Sequence, residues 1–176
     1  MVLQILFLVL QLLFALLFFY MTLAFVMGAP YVPSTTSVSE VMIQLASIKK
    51  GEKIFDLGSG DGRLLFMASK LGATAIGLEI NPYLVLLSNI KSLFSTHRKT
   101  VRTYWKNFWR ADYKTADVAF VYLLPWRMKQ LEKKLLKEMK AGSRVVSNSF
   151  IFPNIPCTKK DEEHHVYLFT IPKKKI

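Results

Sequence analysis

A glycine-rich turn at residues 56–62 (Asp-Leu-Gly-Ser-Gly-Asp-Gly) has the composition and spacing best suited to chemistry. Gly58 and Gly60 lack a Cβ and can adopt positive φ, so the turn can be tight and a ligand can approach its backbone. The turn lies between a predicted strand and a predicted helix, whose first N–H groups suit a carboxylate or phosphate. The pattern therefore predicts a site for a nucleotide-type ligand with an anionic group.

The spacing of this turn favours one ligand over two common alternatives. A dinucleotide site needs G-x-G-x-x-G, but Arg63 occupies the third glycine position, and the Gly-Lys-Ser/Thr of a P-loop is absent. The remaining pattern, D-x-G-x-G-x-G, is expected for the amino-acid end of S-adenosylmethionine (SAM). Glu79 ends the next predicted strand, about 20 residues on, where a carboxylate can accept hydrogen bonds from ribose hydroxyls. The residues expected to bind SAM are thus Asp56, Gly58, Ser59, Gly60 and Glu79.

Short apolar runs alternate with helical patterns around this turn. A first helix is predicted from Ser37, which has capping-box spacing to Glu40, and Gly51 would end it. Further helices are predicted at 63–71, 81–95 and 126–140, the second of them with Asn81 as its N-cap and Pro82 as its first residue. Strands are predicted at 53–57, 74–80, 101–105, 118–124, 144–150 and 165–171. This alternation is typical of an α/β fold, a largely parallel sheet with helices on both faces. The last two strands lack an intervening helix, which predicts an antiparallel hairpin at the edge.

Residues 1–27 are almost entirely apolar and carry no charge. A helix of roughly 20 apolar residues can cross a bilayer, and Gly28 and Pro30 would end this one. The alternative is a secretory signal peptide, but the segment lacks a basic start and exceeds the usual apolar run of roughly 7–15 residues. We therefore predict a transmembrane anchor at 1–27, a linker with the first helix at 28–50 and a catalytic domain at 51–176.

The formal net charge of +12 lies on the part of the chain after the apolar segment, since no lysine or arginine precedes Lys49. Such a domain suits phospholipid headgroups, nucleic acid or acidic protein patches, or has a solvated basic surface. Basic residues alternate with acids on the 126–140 helix, so nucleic acid is not the expected partner. Cys157 is the single cysteine, which excludes an intrachain disulfide and a cysteine-based metal cluster. No metal is expected.

Several short segments together resemble a known family. Tyr-Val-Pro-Ser from Tyr31, the glycine turn with Arg63, Glu-Ile-Asn-Pro, Asn-Phe-Trp from Asn107 and Arg-Val-Val-Ser from Arg144 occur in this order. Over about residues 30–155 the chain resembles seven-β-strand protein lysine methyltransferases. These include the enzymes that act on the c-ring protein of ATP synthase and on the adenine nucleotide translocase, and a broad-specificity archaeal enzyme. The resemblance implies a Rossmann-like class I SAM-dependent methyltransferase fold.

The resemblance also implies roles for individual residues. Asp56, Gly58 and Gly60 would hold the methionine part of SAM and Glu79 its ribose, while Asn107 and Phe108 would approach the adenine. A lid of Tyr31 and Pro33 would cover the cofactor and the incoming lysine, and Trp126 would flank the lysine. The segment Leu124-Pro125-Trp126 departs from the polar residue and two prolines of many amino-methylating relatives, which argues against adenine or glutamine amides as acceptors.

The expected function is therefore a membrane-anchored SAM-dependent protein N-lysine methyltransferase that acts on a membrane-associated protein. Its catalytic domain would face the cytoplasm or the mitochondrial matrix, where SAM is available. No dedicated general base is expected, because His97, His164 and His165 lie outside every predicted ligand turn. The alternatives are a small-molecule or lipid methyltransferase with the same fold, an RNA-modifying protein and a non-enzymatic scaffold.

Overall fold

A computed structural model describes residues 1–27 and 33–173 and divides the chain into two compact units, Met1–Val32 and Pro33–Ile176. The predicted lid residue Tyr31 lies outside the described residues. In the first unit, α1 (Val2–Met27) is one continuous helix, as predicted. Its apolar side chains from Met1 to Phe19 are exposed, and by length and composition this helix could cross a membrane.

The second unit is built on a seven-stranded sheet in the order β3-β2-β1-β4-β5-β7-β6. The strands are β1 (Lys53–Leu57), β2 (Thr74–Glu79), β3 (Val101–Trp105), β4 (Val118–Val121), β5 (Arg144–Asn148), β6 (Cys157–Asp161) and β7 (Val166–Thr170). The helices are α2 (Thr36–Ala46), α3 (Arg63–Lys70), α4 (Pro82–Leu93) and α5 (Pro125–Glu138), with a 3-10 turn at Phe108–Arg110. This is the predicted α/β fold.

The strand order creates a switch point between β1 and β4. From β1 the chain moves outward through β2 to β3, then returns to β4 on the other side of β1 and continues to β5, all in parallel. The loops that leave the carboxyl ends of β1 and β4 therefore run in opposite directions and leave a crevice between them. Open α/β sheets bind ligands in this crevice.

Helices cover both faces of the sheet. On one face, Met42 and Ala46 of α2 and Leu65 of α3 pack with Ile54 and Phe120 of the central strands, and all five are buried. Phe55 points to the other face and contacts the ring of Tyr113 edge-on. The α5 side chains reach the same place, since Lys134 Nζ lies 5.2 Å from the centre of the Tyr113 ring.

Two sequence predictions about the elements were wrong. The cap of α2 is Thr35, whose side chain accepts a hydrogen bond from Val38 N–H (3.3 Å), and the helix ends at Ala46 rather than at Gly51. The segment has several consecutive hydroxyl residues, so the capping-box spacing did not select the right one. β6 was not predicted, because its sequence CTKKD has no apolar alternation and is mostly exposed. The predicted antiparallel pairing of the last two predicted strands is confirmed, since β5 pairs with β7, but β6 pairs with the other side of β7 and forms the sheet edge.

Candidate active site

The glycine turn leaves the carboxyl end of β1, beside the crevice. Gly58 and Ser59 donate hydrogen bonds to the Leu78 carbonyl on β2 (2.9 and 3.2 Å), and Gly62 donates one to the Ser59 carbonyl (2.9 Å). Gly58, Gly60 and Gly62 all have positive φ (91°, 55° and 85°), a conformation that side chains with a Cβ rarely adopt. The prediction that Gly58 and Gly60 adopt positive φ is therefore confirmed, and Gly62 does the same.

The turn is closed on one side and open on the other. The Ser59 side chain lies over Gly77 of β2, where a Cβ would come within 2.4 Å of Ser59 Oγ. A Cβ at Gly62 would come within 2.3 Å of Ser88 Oγ on α4. At Gly58, by contrast, no atom of the described structure beyond its two chain neighbours lies within 4 Å of where a Cβ would stand. A ligand can therefore approach the backbone on the Gly58 side.

Glu79 is held rigidly at the end of β2. Its carboxylate is buried and accepts hydrogen bonds from the N–H groups of Gly60 (2.9 Å), Ile80 (2.8 Å) and Asn81 (2.9 Å). It thus ties the glycine turn to the start of α4. A carboxylate offers about four acceptor positions, so about one is left for a ribose hydroxyl.

Asp56 is a buried acid that lacks a counter-ion. It is 6% exposed, and within residues 1–27 and 33–173 no group forms a hydrogen bond or an ion pair with its carboxylate. Burial, and then the nearby negative charges of Glu79 and Asp61, raise its pKa from 3.8 to about 7. The native chain therefore holds a proton that the unfolded chain loses, so this group destabilises the fold as pH rises from about 4 to 7.

These features fit the amino-acid end of SAM. A ligand ammonium would supply the positive partner that Asp56 lacks. The N–H groups of Gly58, Ser59, Gly60 and Gly62 already donate within the fold, so a ligand carboxylate would bind at the start of α3, where the first N–H groups have no acceptor within the helix. Ser59 Oγ is a further orphan, since it is buried and has no hydrogen-bond partner among the described residues. Buried polar groups of this kind are rare unless a ligand or water completes them.

A clamp at Ser34 was not predicted from the sequence. Arg63 Nη1 donates to the Ser34 carbonyl (2.9 Å), and Asn148 Nδ2 at the end of β5 donates to Ser34 Oγ (3.1 Å). The residue before it, Pro33, is exposed. The two contacts hold the chain around Pro33 between the start of α3 and the end of β5, at the edge of the sheet that carries the glycine turn. The predicted lid residue Pro33 lies at this clamp, and its role as a lid stays a prediction.

We expect Arg63→Ala to loosen this clamp with little loss of global stability. The lost hydrogen bonds are exposed, so the free energy of unfolding should fall by less than about 1 kcal/mol. Hydrogen exchange of the α2 amides should become faster, and the Kd for SAM should rise about three- to ten-fold because Pro33 and Ser34 are held less firmly beside the glycine turn. Arg98→Ala, an exposed arginine at the other end of the sheet, is the control. Equal exchange in both variants would contradict the clamp.

The predicted adenine site lies next to Glu79, because Lys106 N–H donates to the Glu79 carbonyl (2.9 Å). Asn107 Oδ1 accepts a hydrogen bond from Trp109 N–H (2.9 Å), which leaves its amide N–H₂ for a ligand. Phe108 is only 4% exposed and packs on Trp109 with ring centres 4.9 Å apart. The contact of Asn107 with adenine stays a prediction, and Phe108 would contribute to it mainly by supporting the turn.

The carboxyl end of β4 carries Trp126, the predicted wall of the lysine channel. It is the second residue of α5 and is 55% exposed. Tyr122, just after β4, is also exposed, while Leu123 between them is buried. The crevice beyond the glycine turn thus has an aromatic rim, which could accommodate an apolar side chain with a cationic end.

The remaining polar residues have structural partners. Asp61 accepts a hydrogen bond from Arg63 N–H (3.4 Å) and pairs with Lys91 (2.8 Å), so its carboxylate is already engaged at the start of α3. His97 Nδ1 contacts Ser69 Oγ (3.0 Å) before the start of β3, at the opposite edge of the sheet. His164 pairs with Asp161 in the β6–β7 hairpin.

Comparison with known proteins decides the family. The sequence model of one protein family, the ANTKMT methyltransferase domain, matches residues 56–159, from Asp56 of the glycine turn to Lys159 in β6. The chain belongs to this family. The seven-stranded sheet and its glycine turn therefore form an ANTKMT methyltransferase domain.

Relatives of this ANTKMT methyltransferase domain bear out the predicted resemblance. The human lysine N-methyltransferase of the ATP synthase c-ring protein is 34% identical over 71% of this chain and 53% of its own length. A protein-lysine N-methyltransferase from Saccharolobus islandicus is 32% identical over 87% of this chain and 100% of its own length. The mouse adenine nucleotide translocase lysine N-methyltransferase is 34% identical over 70% of this chain. The chain spans about half the length of the animal relatives.

A solved structure gives an independent view. The RNA methyltransferase from Salinibacter ruber, in complex with S-adenosyl-L-homocysteine, superposes with a TM-score of 0.78 at 30% identity and covers 82% of this chain and 97% of its own. A geranyl diphosphate methyltransferase at 15% identity and a TM-score of 0.58 shares the fold alone. The predicted class I methyltransferase fold is thus confirmed.

Proposed function

We propose that this chain is a SAM-dependent protein N-lysine methyltransferase. The observation that carries the proposal is the buried, unpaired Asp56 beside the open side of the glycine turn. A protein does not bury such a carboxylate at a cost in stability without a compensating role. The solved relative from Salinibacter ruber, which holds S-adenosyl-L-homocysteine, supports SAM as the compensating ligand.

Each residue of the site then has a definite task. Asp56 binds the ligand ammonium, the first N–H groups of α3 bind its carboxylate, and Glu79 accepts a hydrogen bond from a ribose hydroxyl. Bound SAM supplies an electrophilic methyl group, which an in-line displacement transfers to a nitrogen lone pair. The chain contributes mainly alignment of donor and acceptor, a proximity effect that can supply several kcal/mol.

Lysine is the acceptor that the site and the relatives favour. The relatives from human, mouse and Saccharolobus islandicus are all protein-lysine N-methyltransferases. The exposed aromatic side chains of Tyr122 and Trp126 offer walls for the methylene chain of a lysine. An acceptor amine has to be neutral to attack, and desolvation at this apolar rim would lower the pKa of the ammonium.

The pKa of Asp56 predicts how cofactor binding depends on pH. Ammonium binding needs ionised Asp56, whose pKa of about 7 means that protonation competes with the ligand below neutrality. The Kd for SAM should therefore rise about ten-fold per pH unit below pH 7, and binding should release a proton. Calorimetry across this range tests the slope. A Kd that stays constant from neutral to mildly acidic pH would remove Asp56 from the ammonium site.

The proposal includes that α1 anchors the chain in a membrane and that the acceptor is a membrane-associated protein. An inserted α1 would keep the catalytic domain next to the bilayer and raise the effective concentration of a membrane-associated substrate. α1 is uncharged and its side chains from Met1 to Phe19 are exposed, as a lipid-facing helix requires. The domain would face the cytoplasm, or the mitochondrial matrix in a eukaryotic cell.

The acceptor is identified by incubating the full chain with labelled SAM and membrane fractions, followed by complete acid hydrolysis. Methyl-lysine in the hydrolysate is the expected result. Label that extracts into organic solvent would favour a lipid or small-molecule acceptor instead. The Salinibacter ruber relative is an RNA methyltransferase, so a parallel incubation with RNA belongs in the experiment. Label in nuclease digests, with none in methyl-lysine, would overturn the proposal.

A further inference from the structure

Helix α4 presents polar side chains to the sheet. Ser88 and Ser92 are its buried serines, and Ser92 Oγ donates to the Val101 carbonyl (2.9 Å). Asn89 Nδ2 donates to the Thr103 carbonyl (2.8 Å), and Asn89 Oδ1 accepts from Thr103 N–H (3.0 Å). The helix thus covers the free edge of β3 through hydrogen bonds, which protects that edge from pairing with another strand.

Of the apolar side chains in this segment, Leu84 is buried with the serines, but the larger number lie on the outer side. Five of them recur at helical spacing and are exposed, and we call them the α4 apolar stripe: Tyr83, Leu86, Ile90, Leu93 and Phe94. Leu93 is 63% and Phe94 86% exposed. Surface helices of soluble domains normally do the reverse and bury their apolar face. A contiguous exposed patch of this kind marks an interaction surface.

An aromatic side chain extends the stripe at the end where α4 begins. Trp105, the last residue of β3, is 72% exposed. Its indole N–H donates to the Ile80 carbonyl (2.9 Å), directly before the α4 cap Asn81. Tryptophan with a satisfied N–H and an exposed ring is enriched where one end of a surface is apolar and the other is wet.

The sequence segment that contains the stripe carries basic charge only. Between Glu79 and Asp112 the sequence contains no acidic residue, and its basic residues are Lys91, Arg98, Lys99, Arg102, Lys106 and Arg110. Arg98 and Lys99 follow Phe94 closely and are exposed. Within the described residues, no carboxylate lies at ion-pair distance from either of them or from Lys106, whereas Lys91 pairs with Asp61 (2.8 Å). These cations are free to meet an external anion.

We propose that the α4 apolar stripe docks on the surface of a bilayer that contains anionic phospholipid. Leu86, Ile90, Leu93 and Phe94 would enter the boundary between headgroups and acyl chains, and Arg98 and Lys99 would contact headgroup phosphates. Apolar side chains on one side with lysine and arginine at the border are the composition of interfacial helices. Each basic residue near an anionic membrane adds about 1 kcal/mol of attraction.

Two other occupants fit the surface less well. A second copy in a symmetric dimer would bring two identical basic segments together, and their repulsion opposes the contact. RNA binds through phosphate contacts and through bases stacked on aromatic rings. The centre of this stripe is aliphatic, so bases would have no stacking partner there.

Docking would place the methyl-transfer site at the membrane surface. The stripe begins at Tyr83, two residues after the α4 cap, and this end of the helix is tied to the glycine turn through Glu79. A target at the headgroup level could then reach the crevice without leaving the bilayer. The inference concerns docking alone, and it stands or falls independently of whether the acceptor is lysine.

The test reads the environment of single positions in the full chain. In a Cys157→Ser background, Leu93→Cys and Leu86→Cys each carry an environment-sensitive fluorophore, and Lys133→Cys on the exposed side of α5 is the matched control. The chain is added to vesicles of phosphatidylcholine with or without phosphatidylglycerol, prepared with acyl chains that carry bromine as a quencher. Fluorescence of the labels at 86 and 93 should be quenched and blue-shifted with phosphatidylglycerol, while the label at 133 stays in water.

Removing the anionic lipid should reduce the docked fraction at 86 and 93 at least about ten-fold. If only α1 inserts, the labels at 86 and 93 should show the same quenching and emission wavelength as the control label at 133, and that result would overturn the proposal. Quenching that is equal with and without phosphatidylglycerol would overturn the role of the cations. A response only to added RNA, or one that depends only on protein concentration, would assign the stripe to nucleic acid or to a second copy instead.

Discussion

Asp56→Asn is expected to weaken SAM binding at least about 30-fold and, at the same time, to stabilise the ligand-free protein. Asparagine has nearly the same shape, but it carries no charge to desolvate and does not repel Glu79. Because the pKa of Asp56 is raised from 3.8 to about 7, ionising it at pH 8 costs on the order of 2–4 kcal/mol, and the variant should regain this. Tm should rise by about 5 °C or more at pH 8.

The loss of binding follows from the same change. A ligand ammonium would lose its charged partner in a buried site, which costs about 2–4 kcal/mol, or about 30- to 1000-fold in Kd. Calorimetry and thermal unfolding on one preparation measure both effects. Asp112→Asn is the control, since Asp112 lies outside the glycine turn, and the loss of its exposed ion pair with Lys114 (3.5 Å) should change neither quantity much. A variant that is less stable than the parent at pH 8 would contradict the account of Asp56.

Glu79→Ala should lose SAM binding as well, but with the opposite effect on stability. Three backbone N–H groups, those of Gly60, Ile80 and Asn81, would lose their acceptor together. An unsatisfied buried donor costs about 1–3 kcal/mol, so we expect a loss of about 2–4 kcal/mol after relaxation and relief of the charge repulsion with Asp56. Urea unfolding followed by circular dichroism measures the change in the free energy of unfolding.

Glu40→Ala is the matched control, because Glu40 is an exposed glutamate on α2 with no hydrogen bond among those of the described residues. If Glu79→Ala unfolds at the same urea concentration as the parent, the carboxylate does not hold the turn. If it loses stability but binds SAM normally, Glu79 is structural only. The two variants thus distinguish two roles: Asp56 serves ligand binding alone, whereas Glu79 also holds the glycine turn in place.

The glycine turn and its neighbours were predictable because their signals are local. Positive φ at Gly58 and the cap of α4 at Asn81, with a hydrogen bond from Tyr83 N–H (3.0 Å), depend on residues only a few positions away. The boundaries of β1 and β3 agree with the prediction for the same reason, since their apolar and alternating residues are contiguous.

Features that depend on distant contacts were not predictable. The Ser34 clamp joins Arg63 and Asn148, which lie far apart in the sequence. The raised pKa of Asp56 requires β1 to be central, with strands on both sides. For α4, the sequence indicates a helix but not which face is buried, because the buried face carries Ser88 and Ser92 beside Leu84 while most of the large apolar side chains are exposed. Hydrogen bonds to β3 decided this, not hydrophobicity.

Titration of the full chain with SAM in a calorimeter is the most direct measurement of whether the glycine turn between Asp56 and Glu79 is a cofactor site. We predict saturable binding of one SAM per chain, weakened at least about 30-fold by Asp56→Asn. The assignment of the turn as a cofactor site would be contradicted if the correctly folded chain gave no binding signal at neutral pH, or if Asp56→Asn left its affinity for SAM unchanged.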